Sequence, residues 1–160
     1  MDETAMPTVG DLAPTFELSD GERPVALSAF RGRTVVLYFY PQAFTGGCTA
    51  EACGLCDEYS AITSADAVVV GISVDDADTQ RRFRDEYRLP FPVLSDPDGV
   101  VARQYGVFGI ERADGSVLPQ ARRTTFIIDP SGRIAEVFYP VSPAEHAAEV
   151  QEALQRLAAA

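Results

Sequence analysis

Two apolar segments constrain the fold of this 160-residue chain more than any other feature. Residues 34–40 and 67–74 are almost wholly apolar and rich in β-branched side chains. A strand with one face in water alternates polar and apolar residues. Neither segment does so, and each therefore predicts a strand buried on both faces. Because such a sheet needs helices packed on both sides, the two segments predict an α/β fold.

The rest of the chain alternates strands and helices around these segments. One hairpin is predicted near each terminus, with strands at 16–18 and 25–27 and at 124–129 and 134–139. Helices are predicted over 48–64 and 77–88, after Asp98-Gly99 and at the C-terminus, with a short strand over 91–94 and a loop over 107–122. This order predicts one thioredoxin-like domain over residues 1–160. Its mixed central sheet has helices on both faces and an N-terminal β-hairpin extension.

The charge of the chain disfavours two classes of partner. Asp and Glu total 24 against 13 basic residues, all of them Arg, which gives a formal net charge of −11. An acidic surface repels phosphate backbones and anionic membranes. Residues 34–50, the longest uncharged stretch, are too few to span a bilayer, and residues 1–10 lack the apolar core of a signal peptide. We therefore expect a cytoplasmic protein with no nucleic-acid or membrane partner.

Three cysteines, Cys48, Cys53 and Cys56, lie within nine residues. An odd, clustered set is unlike the disulfide framework of a secreted protein and indicates a reactive site. Cys48 falls in the first turn of the predicted helix, where unpaired N–H groups and the helix dipole favour the reactive thiolate. Thr45 lies three residues earlier and Pro41 ends the preceding strand. A hydroxyl and backbone amides beside a thiolate predict a small polar pocket for a compact, weakly acidic substrate.

Several motifs resemble those of one enzyme family. The pattern Pro41-x-x-x-Thr45-x-x-Cys48, at the end of the first core strand, resembles the signature of peroxiredoxins, the alkyl hydroperoxide reductase/thiol-specific antioxidant family. Residues 49–55 resemble the bacterioferritin-comigratory-protein (peroxiredoxin Q) subfamily, and residues 123–129 resemble its Arg-containing strand. The resemblance implies a thiol-dependent peroxidase that reduces hydrogen peroxide and organic hydroperoxides without a metal, haem or flavin.

The resemblance also implies roles for the residues around the sulfur. Cys48 would attack the peroxide O–O bond and become a sulfenic acid. Thr45 and the backbone amide of Gly47 would bind and orient the peroxide, and Pro41 would shield the sulfur from water.

Two charged residues would complete this site. Arg123 would stabilise the thiolate and polarise the peroxide, because a neighbouring guanidinium favours the thiolate and keeps its own charge. Arg122 would point to the opposite face if this segment is a strand. Glu51 would lie in the first helical turn, where a carboxylate is favoured, and would order Arg123 or the loop.

The resemblance makes Cys53 the resolving cysteine, which would form an intramolecular disulfide with Cys48 that a thioredoxin-like protein reduces. Helical residues five apart have Cα atoms roughly 8–9 Å apart, beyond the ~7 Å that a disulfide spans, so we expect the helix start to unwind after oxidation. Cys56 stands where the family commonly has Arg and is a second candidate resolver. Gly46 and Ala43 stand where the family usually has Pro and often an acid, and the glycine pair should make this loop more flexible.

Two other classes of function remain open on the residues alone. Cys53-x-x-Cys56 is typical of dithiol/disulfide oxidoreductases, although in those proteins the first cysteine starts the helix, and here Cys48 does. The Cys-x4-Cys-x2-Cys spacing occurs in plant-type iron–sulfur proteins, but a cluster needs a fourth thiolate, and the one histidine, His146, is far along the chain. The sequence favours the peroxidase and leaves monomer and weak homodimer both open.

Overall fold

The computed structural model of the chain describes residues 5–139, 141–143 and 145–159. Its strands are β1 (Glu17–Ser19), β2 (Pro24–Ala26), β3 (Thr34–Phe39), β4 (Ala67–Ser73), β5 (Val93–Ser95), β6 (Phe108–Glu111), β7 (Val117–Ala121), β8 (Thr124–Ile128) and β9 (Ile134–Phe138). Its helices are α1 (Gly46–Asp57), α2 (Tyr59–Ser64), α3 (Ala77–Glu86), α4 (Val100–Gln104) and α5 (His146–Ala159), with a 3₁₀ helix at Leu27–Phe30. The predicted single domain over 1–160 extends beyond the described residues and stays a prediction.

Seven strands form the central sheet in the order β2-β1-β5-β4-β3-β8-β9. β3, β4 and β5 are parallel to one another, and the other neighbouring pairs are antiparallel. The mixed sheet and its N-terminal hairpin confirm the predicted fold class. Within the described ranges, no helix has both the length and the apolar character needed to cross a bilayer.

The side chains of β3 alternate between two cores. Val35, Leu37 and Phe39 join one buried cluster with side chains of α4. Val36 and Tyr38 join the other, with side chains of α1, α2, α3 and α5. Because successive side chains of a strand point to opposite faces, a strand between two cores must be apolar at every position. This arrangement explains the uninterrupted apolar run at residues 34–40.

The prediction of one helix over residues 48–64 is wrong in two respects. The helix begins at Gly46, because Thr45 keeps extended backbone angles and its carbonyl oxygen already accepts a hydrogen bond from Thr49 N at 2.9 Å. The glycine pair thus lies in the first turn of α1, not in a flexible loop. The chain also turns at Glu58 (φ −97°, ψ 6°), which separates α1 from α2.

The prediction of a loop over residues 107–122 is wrong, because this stretch forms the hairpin of β6 and β7. Its turn is held by Asp114, whose carboxylate accepts from Ser116 N at 2.9 Å, and by Gly115 in the left-handed region (φ 87°). The two strands form a separate sheet with mostly half-exposed or exposed side chains. Their sequences are short and are interrupted by Gly109 and Pro119, so they lack the long apolar run of a buried strand.

Candidate active site

Cys48 lies at the end of a central strand and in the first turn of a helix. It is the third residue of α1, and α1 follows the loop that leaves the carboxyl end of β3. Its side chain is buried, with 1% of the residue exposed. The sequence prediction of Cys48 at a helix N-terminus is confirmed, so the N–H groups and dipole of α1 act on the sulfur.

Arg123 reaches this sulfur from the segment that connects β7 to β8. It directly precedes β8, and β8 pairs with β3 so that Thr124 faces Phe39 at the end of β3. Arg123 Nη2 donates to Cys48 Sγ at 3.2 Å, and Nη1 donates to Glu51 Oε1 at 2.7 Å. The guanidinium therefore bridges a thiol and a carboxylate that lie one helical turn apart on α1.

Gly47 allows the guanidinium to come this close. A Cβ atom at residue 47 would lie 3.1 Å from Arg123 Nη2, which is too close for comfortable packing. The absence of a side chain thus has a steric reason at this position. The sequence prediction concerned only the backbone amide of Gly47.

Arg122 contacts backbone carbonyl oxygens and not the side chains that Arg123 contacts. It donates to the carbonyl oxygens of Gly106, Phe108 and Gly109, at 3.4 Å for Phe108 and 3.1 Å for Gly109. These contacts direct Arg122 toward the backbone of β6 and not toward Cys48. The two arginines do point to different partners, but the predicted reason is wrong, because Arg122 and Arg123 lie between β7 and β8 and not within a strand.

Glu51 carries a buried carboxylate with only one of its oxygens satisfied. Its side chain is fully buried, Oε1 accepts from Arg123, and Oε2 has no hydrogen-bond partner within the described part of the chain. Burial raises the pKa of Glu51 to about 7, against the opposing effect of the Arg123 charge. This carboxyl group therefore holds its proton to a higher pH than an exposed glutamate does.

His146 is a buried neighbour of this site that the sequence did not connect with it. It opens α5, and its Nε2 lies 2.6 Å from Thr125 Oγ1 and 4.0 Å from Glu51 Oε2. Its Nδ1 lies 3.4 Å from Glu149 Oε1, and burial lowers the pKa of His146. A lone histidine 95 residues after Glu51 carries no sequence signal for this contact.

Tyr38 of β3 belongs to the same buried core as Cys48. Its ring is fully buried, and its hydroxyl has no partner among residues 5–139, 141–143 and 145–159. Burial raises the pKa of Tyr38, and the nearby Tyr40, Glu51 and Cys48 add to the effect. The apolar run of β3 gave no reason to separate this tyrosine from the core.

The loop before α1 contains two of the predicted site residues. Pro41 is half-buried, directly after the strand. Thr45 Oγ1 donates to the carbonyl oxygen of Gln42 at 2.9 Å, and the Thr45 backbone caps α1. The lone pairs of that hydroxyl can still accept a hydrogen bond. The roles of Thr45 and Pro41 toward a peroxide stay predictions.

Asp75 anchors this loop, a role that sequence reasoning missed. Its Oδ2 accepts from Ala43 N at 2.7 Å and from Ser73 Oγ at 2.6 Å. The next residue, Asp76, caps α3 by accepting from Thr79 N at 2.7 Å. Asp75 instead ties the loop to the end of β4.

Phe44 fixes the other side of the loop. It adopts a left-handed conformation (φ 66°), which is uncommon for a residue other than glycine. Its ring packs on two aromatic rings of the α3 region, with centroid distances of 5.2 Å to Phe83 and 6.2 Å to Tyr87. These contacts and Asp75 hold the loop in place in front of Cys48.

Cys53 and Cys56 lie farther along α1 as free, half-buried thiols. Burial raises the pKa of both thiols, and Asp57 adds to the effect. Cys56 Sγ also lies 3.9 Å from the Arg88 carbonyl oxygen. Because α1 is continuous from Gly46 to Asp57, Cys48 and Cys53 are held apart in this structure.

Comparisons with known proteins agree on one family. The model of the AhpC/TSA family matches residues 9–137. A putative peroxiredoxin of Mycobacterium tuberculosis is 40% identical over 155 residues, which cover 96% of this chain and 99% of the relative.

Two solved structures are similar over most of their length. The crystal structure of peroxidoxin BcpB from Mycobacterium tuberculosis has a TM-score of 0.84 at 36% identity and covers 94% of this chain and 98% of its own. The bacterioferritin comigratory protein of Xanthomonas campestris, described with an alkyl peroxide reduction activity, has a TM-score of 0.84 at 29% identity. This match covers 89% of the present chain and 92% of the other.

Proposed function

The chain belongs to the AhpC/TSA family and is a thiol-dependent peroxidase of the bacterioferritin-comigratory-protein (peroxiredoxin Q) group. We propose that Cys48 is the residue that attacks the peroxide. The contact of 3.2 Å between Cys48 Sγ and Arg123 Nη2, in the first turn of α1, carries this proposal. A guanidinium and a helix N-terminus both favour the thiolate, which is the nucleophile. Family membership favours this function over a dithiol oxidoreductase or an iron–sulfur protein.

The reaction breaks the peroxide O–O bond. The Cys48 thiolate donates an electron pair to one peroxide oxygen, which becomes the hydroxyl of a sulfenic acid. The other oxygen leaves with the bonding electrons and takes up a proton to become water or an alcohol. Arg123 can stabilise both the attacking thiolate and the negative charge that develops on the oxygens, because its guanidinium stays protonated throughout.

The loop before α1 would bind the peroxide beside the sulfur. The lone pairs of Thr45 Oγ1 can accept a hydrogen bond from the substrate, and the Gly47 amide lies among the unpaired N–H groups of the first turn. Half-buried Pro41 would keep water from the sulfur. Glu51 is a positioning residue in this scheme, because it acts on the peroxide only through Arg123.

A cavity next to Arg123 supports organic hydroperoxides as substrates. Its volume is about 560 Å³, and Arg123 forms part of its wall. Apolar side chains of Phe108, Ile110, Val117 and Tyr139 line much of the rest. An alkyl group could lie against these side chains while the peroxide oxygens contact Arg123. This would bury apolar surface of the substrate.

The sulfenic acid would then condense with Cys53. The sulfenate oxygen leaves as water, and an intramolecular Cys48–Cys53 disulfide forms. Because these cysteines are five positions apart on a helix, α1 would have to unwind at its start. A thioredoxin-like dithiol protein would reduce the disulfide. An odd, clustered set of three cysteines is unlike the disulfide framework of a secreted protein, which supports a cytoplasmic location. The chain would act as a monomer or weak homodimer.

Peroxide consumption coupled to a thioredoxin and thioredoxin reductase tests this assignment. We expect Cys48→Ser to consume no peroxide. We expect Cys53→Ser to stop after a single turnover with thioredoxin and to regain turnover only with small thiols. Peroxide consumption by Cys48→Ser at the wild-type rate would refute the proposed nucleophile.

A further inference from the structure

Helix α1 holds three thiols at two different spacings. Cys48 and Cys53 are five residues apart, whereas Cys53 and Cys56 are three apart and lie in the last two turns before the helix ends at Asp57. Residues three apart are neighbours on a helix surface, with Cβ atoms about 5–6 Å apart. Neighbours of this kind are much closer to disulfide geometry, about 3.5–4.5 Å between Cβ atoms, than residues five apart.

A Cys48–Cys53 disulfide opposes the packing of α1. Cys48, Glu51 and Ala52 are at most 1% exposed, and the Cys48 sulfur and Glu51 carboxylate both contact Arg123. Unwinding this part of the helix breaks these contacts and exposes buried surface. A disulfide between Cys53 and Cys56 would instead let residues 46–52 refold with Cys48 back beside Arg123.

We propose that Cys56 accepts the disulfide from Cys48, so that the bond moves to Cys53–Cys56 within the same chain. The inference rests on the proposed roles of Cys48 and Cys53. The Cys56 thiol loses its proton to solvent, and its thiolate attacks Cys53 Sγ. The Cys48–Cys53 bond breaks, Cys48 leaves with the bonding electrons as a thiolate, and the Cys53–Cys56 bond forms. The number of disulfides is unchanged, so no external oxidant is needed.

The surroundings of the thiols favour this direction of transfer. Once residues 46–52 refold, Arg123 and the helix N-terminus again contact the released Cys48 sulfur, and this stabilisation of its thiolate favours the product of the exchange. Cys53 and Cys56 are both half-buried on the folded helix, so a reducing protein could reach the new disulfide without any unwinding of α1. The transfer would also free Cys48 for a second peroxide before the first disulfide is reduced.

The number of peroxide equivalents consumed without a reductant tests the proposal. Reduced wild-type protein, titrated in small steps with hydrogen peroxide and a sulfenic-acid trapping reagent, should consume about two equivalents per chain, the second by Cys48 released through exchange. The matched variant Cys56→Ser should stop at about one equivalent, since its disulfide cannot move. Differential alkylation and mass spectrometry should find Cys53–Cys56 bonded and Cys48 trapped in wild type, but Cys48–Cys53 bonded in the variant.

The other outcomes separate failure of the transfer from failure of the proposed function. A wild-type protein that stops at one equivalent with Cys48–Cys53 bonded would overturn the transfer and leave the peroxidase cycle intact. A Cys48–Cys56 disulfide that forms in Cys53→Ser as fast as the wild-type disulfide would overturn it too, because Cys56 would then resolve directly. Peroxide uptake by Cys48→Ser would refute the proposed nucleophile itself.

Discussion

Replacing Arg123 with methionine tests the contact on which the proposed chemistry depends. Methionine matches the aliphatic part of arginine but has no charge and no donor, so Cys48 Sγ loses its partner at 3.2 Å and Glu51 Oε1 loses its partner at 2.7 Å. Without the guanidinium, the pKa of Glu51 should rise above its value of about 7, because both effects that lower it come from Arg123. The site would thus lose its positive charge and, at neutral pH, most of its carboxylate charge.

The size of the effect follows from the contact distance. At 3.2 Å and an effective dielectric constant near 20, the attraction of two unit charges is about 5 kcal/mol, an upper limit. The net contribution of a charge-assisted hydrogen bond is smaller, about 1.5–3 kcal/mol. Since about 1.4 kcal/mol is a factor of ten, we expect kcat/KM for peroxide to fall roughly 10- to 150-fold.

The assay is the rate of hydrogen peroxide consumption under competition with a second thiol peroxidase, near neutral pH. Arg82→Met is the matched control, because it removes the same charge from an exposed side chain of α3 that pairs with Asp78 at 3.2 Å. We expect this control to stay within about twofold of wild type, as exposed ion pairs contribute little. The kcat/KM of Arg123→Lys should lie between those of wild type and Arg123→Met, since one ammonium group cannot hold both the sulfur and the carboxylate in the geometry of the guanidinium. A folded Arg123→Met with wild-type kcat/KM would refute this reasoning.

Three further predictions concern the same helix. The pKa of the Glu51 carboxyl is about 7 in the folded protein and 4.5 in an exposed glutamate, so between these values the folded chain binds a proton that the unfolded chain does not. The contribution of this proton to stability should therefore be lost as pH rises from about 4.5 to 7. Denaturant titrations should show that Glu51→Gln removes up to about 3 kcal/mol of this pH dependence, and equal slopes for both proteins would contradict it. Gly47→Ala should push the guanidinium from its place, because the new Cβ would lie 3.1 Å from Arg123 Nη2. We expect a several-fold loss of kcat/KM with little change in melting temperature, and wild-type kcat/KM would contradict this. Hydrogen exchange should find the amides of residues 48–56 less protected in oxidised Cys56→Ser than in its reduced form. Equal protection would show that α1 does not unwind.

Much of the fold was predictable because its main signals are local. The apolar runs of β3 and β4 and the turn residues of the terminal hairpins each report on their own segment. The hairpin of β6 and β7 was missed because its strands are short, mostly half-exposed or exposed, and interrupted by Gly109 and Pro119. The break at Glu58 was missed because no proline or glycine marks it.

The site residues that belong to short sequence motifs could be predicted. The contacts between segments far apart in the sequence could not. Cys48, Thr45 and Pro41 belong to one motif, and Arg123 to a second. The contact of His146 with Thr125 joins the start of α5 to β8. The contact of Asp75 with Ala43 joins the loop before α1 to the segment that follows β4. Neither pair has a spacing that sequence reasoning could recognise, because both depend on how the elements pack.

The two cores on either side of β3 bear on how this molecule survives its own reaction. Cys48, Ala52 and Leu55 of α1 all belong to one core, and none belongs to the other, which contains Leu37 and Phe39. Opening the start of α1 therefore disturbs one layer of the molecule and leaves the opposite layer in contact with the sheet. The opposite layer would keep the sheet folded, and the helix could close onto that sheet again, so repeated oxidation need not lead to global unfolding.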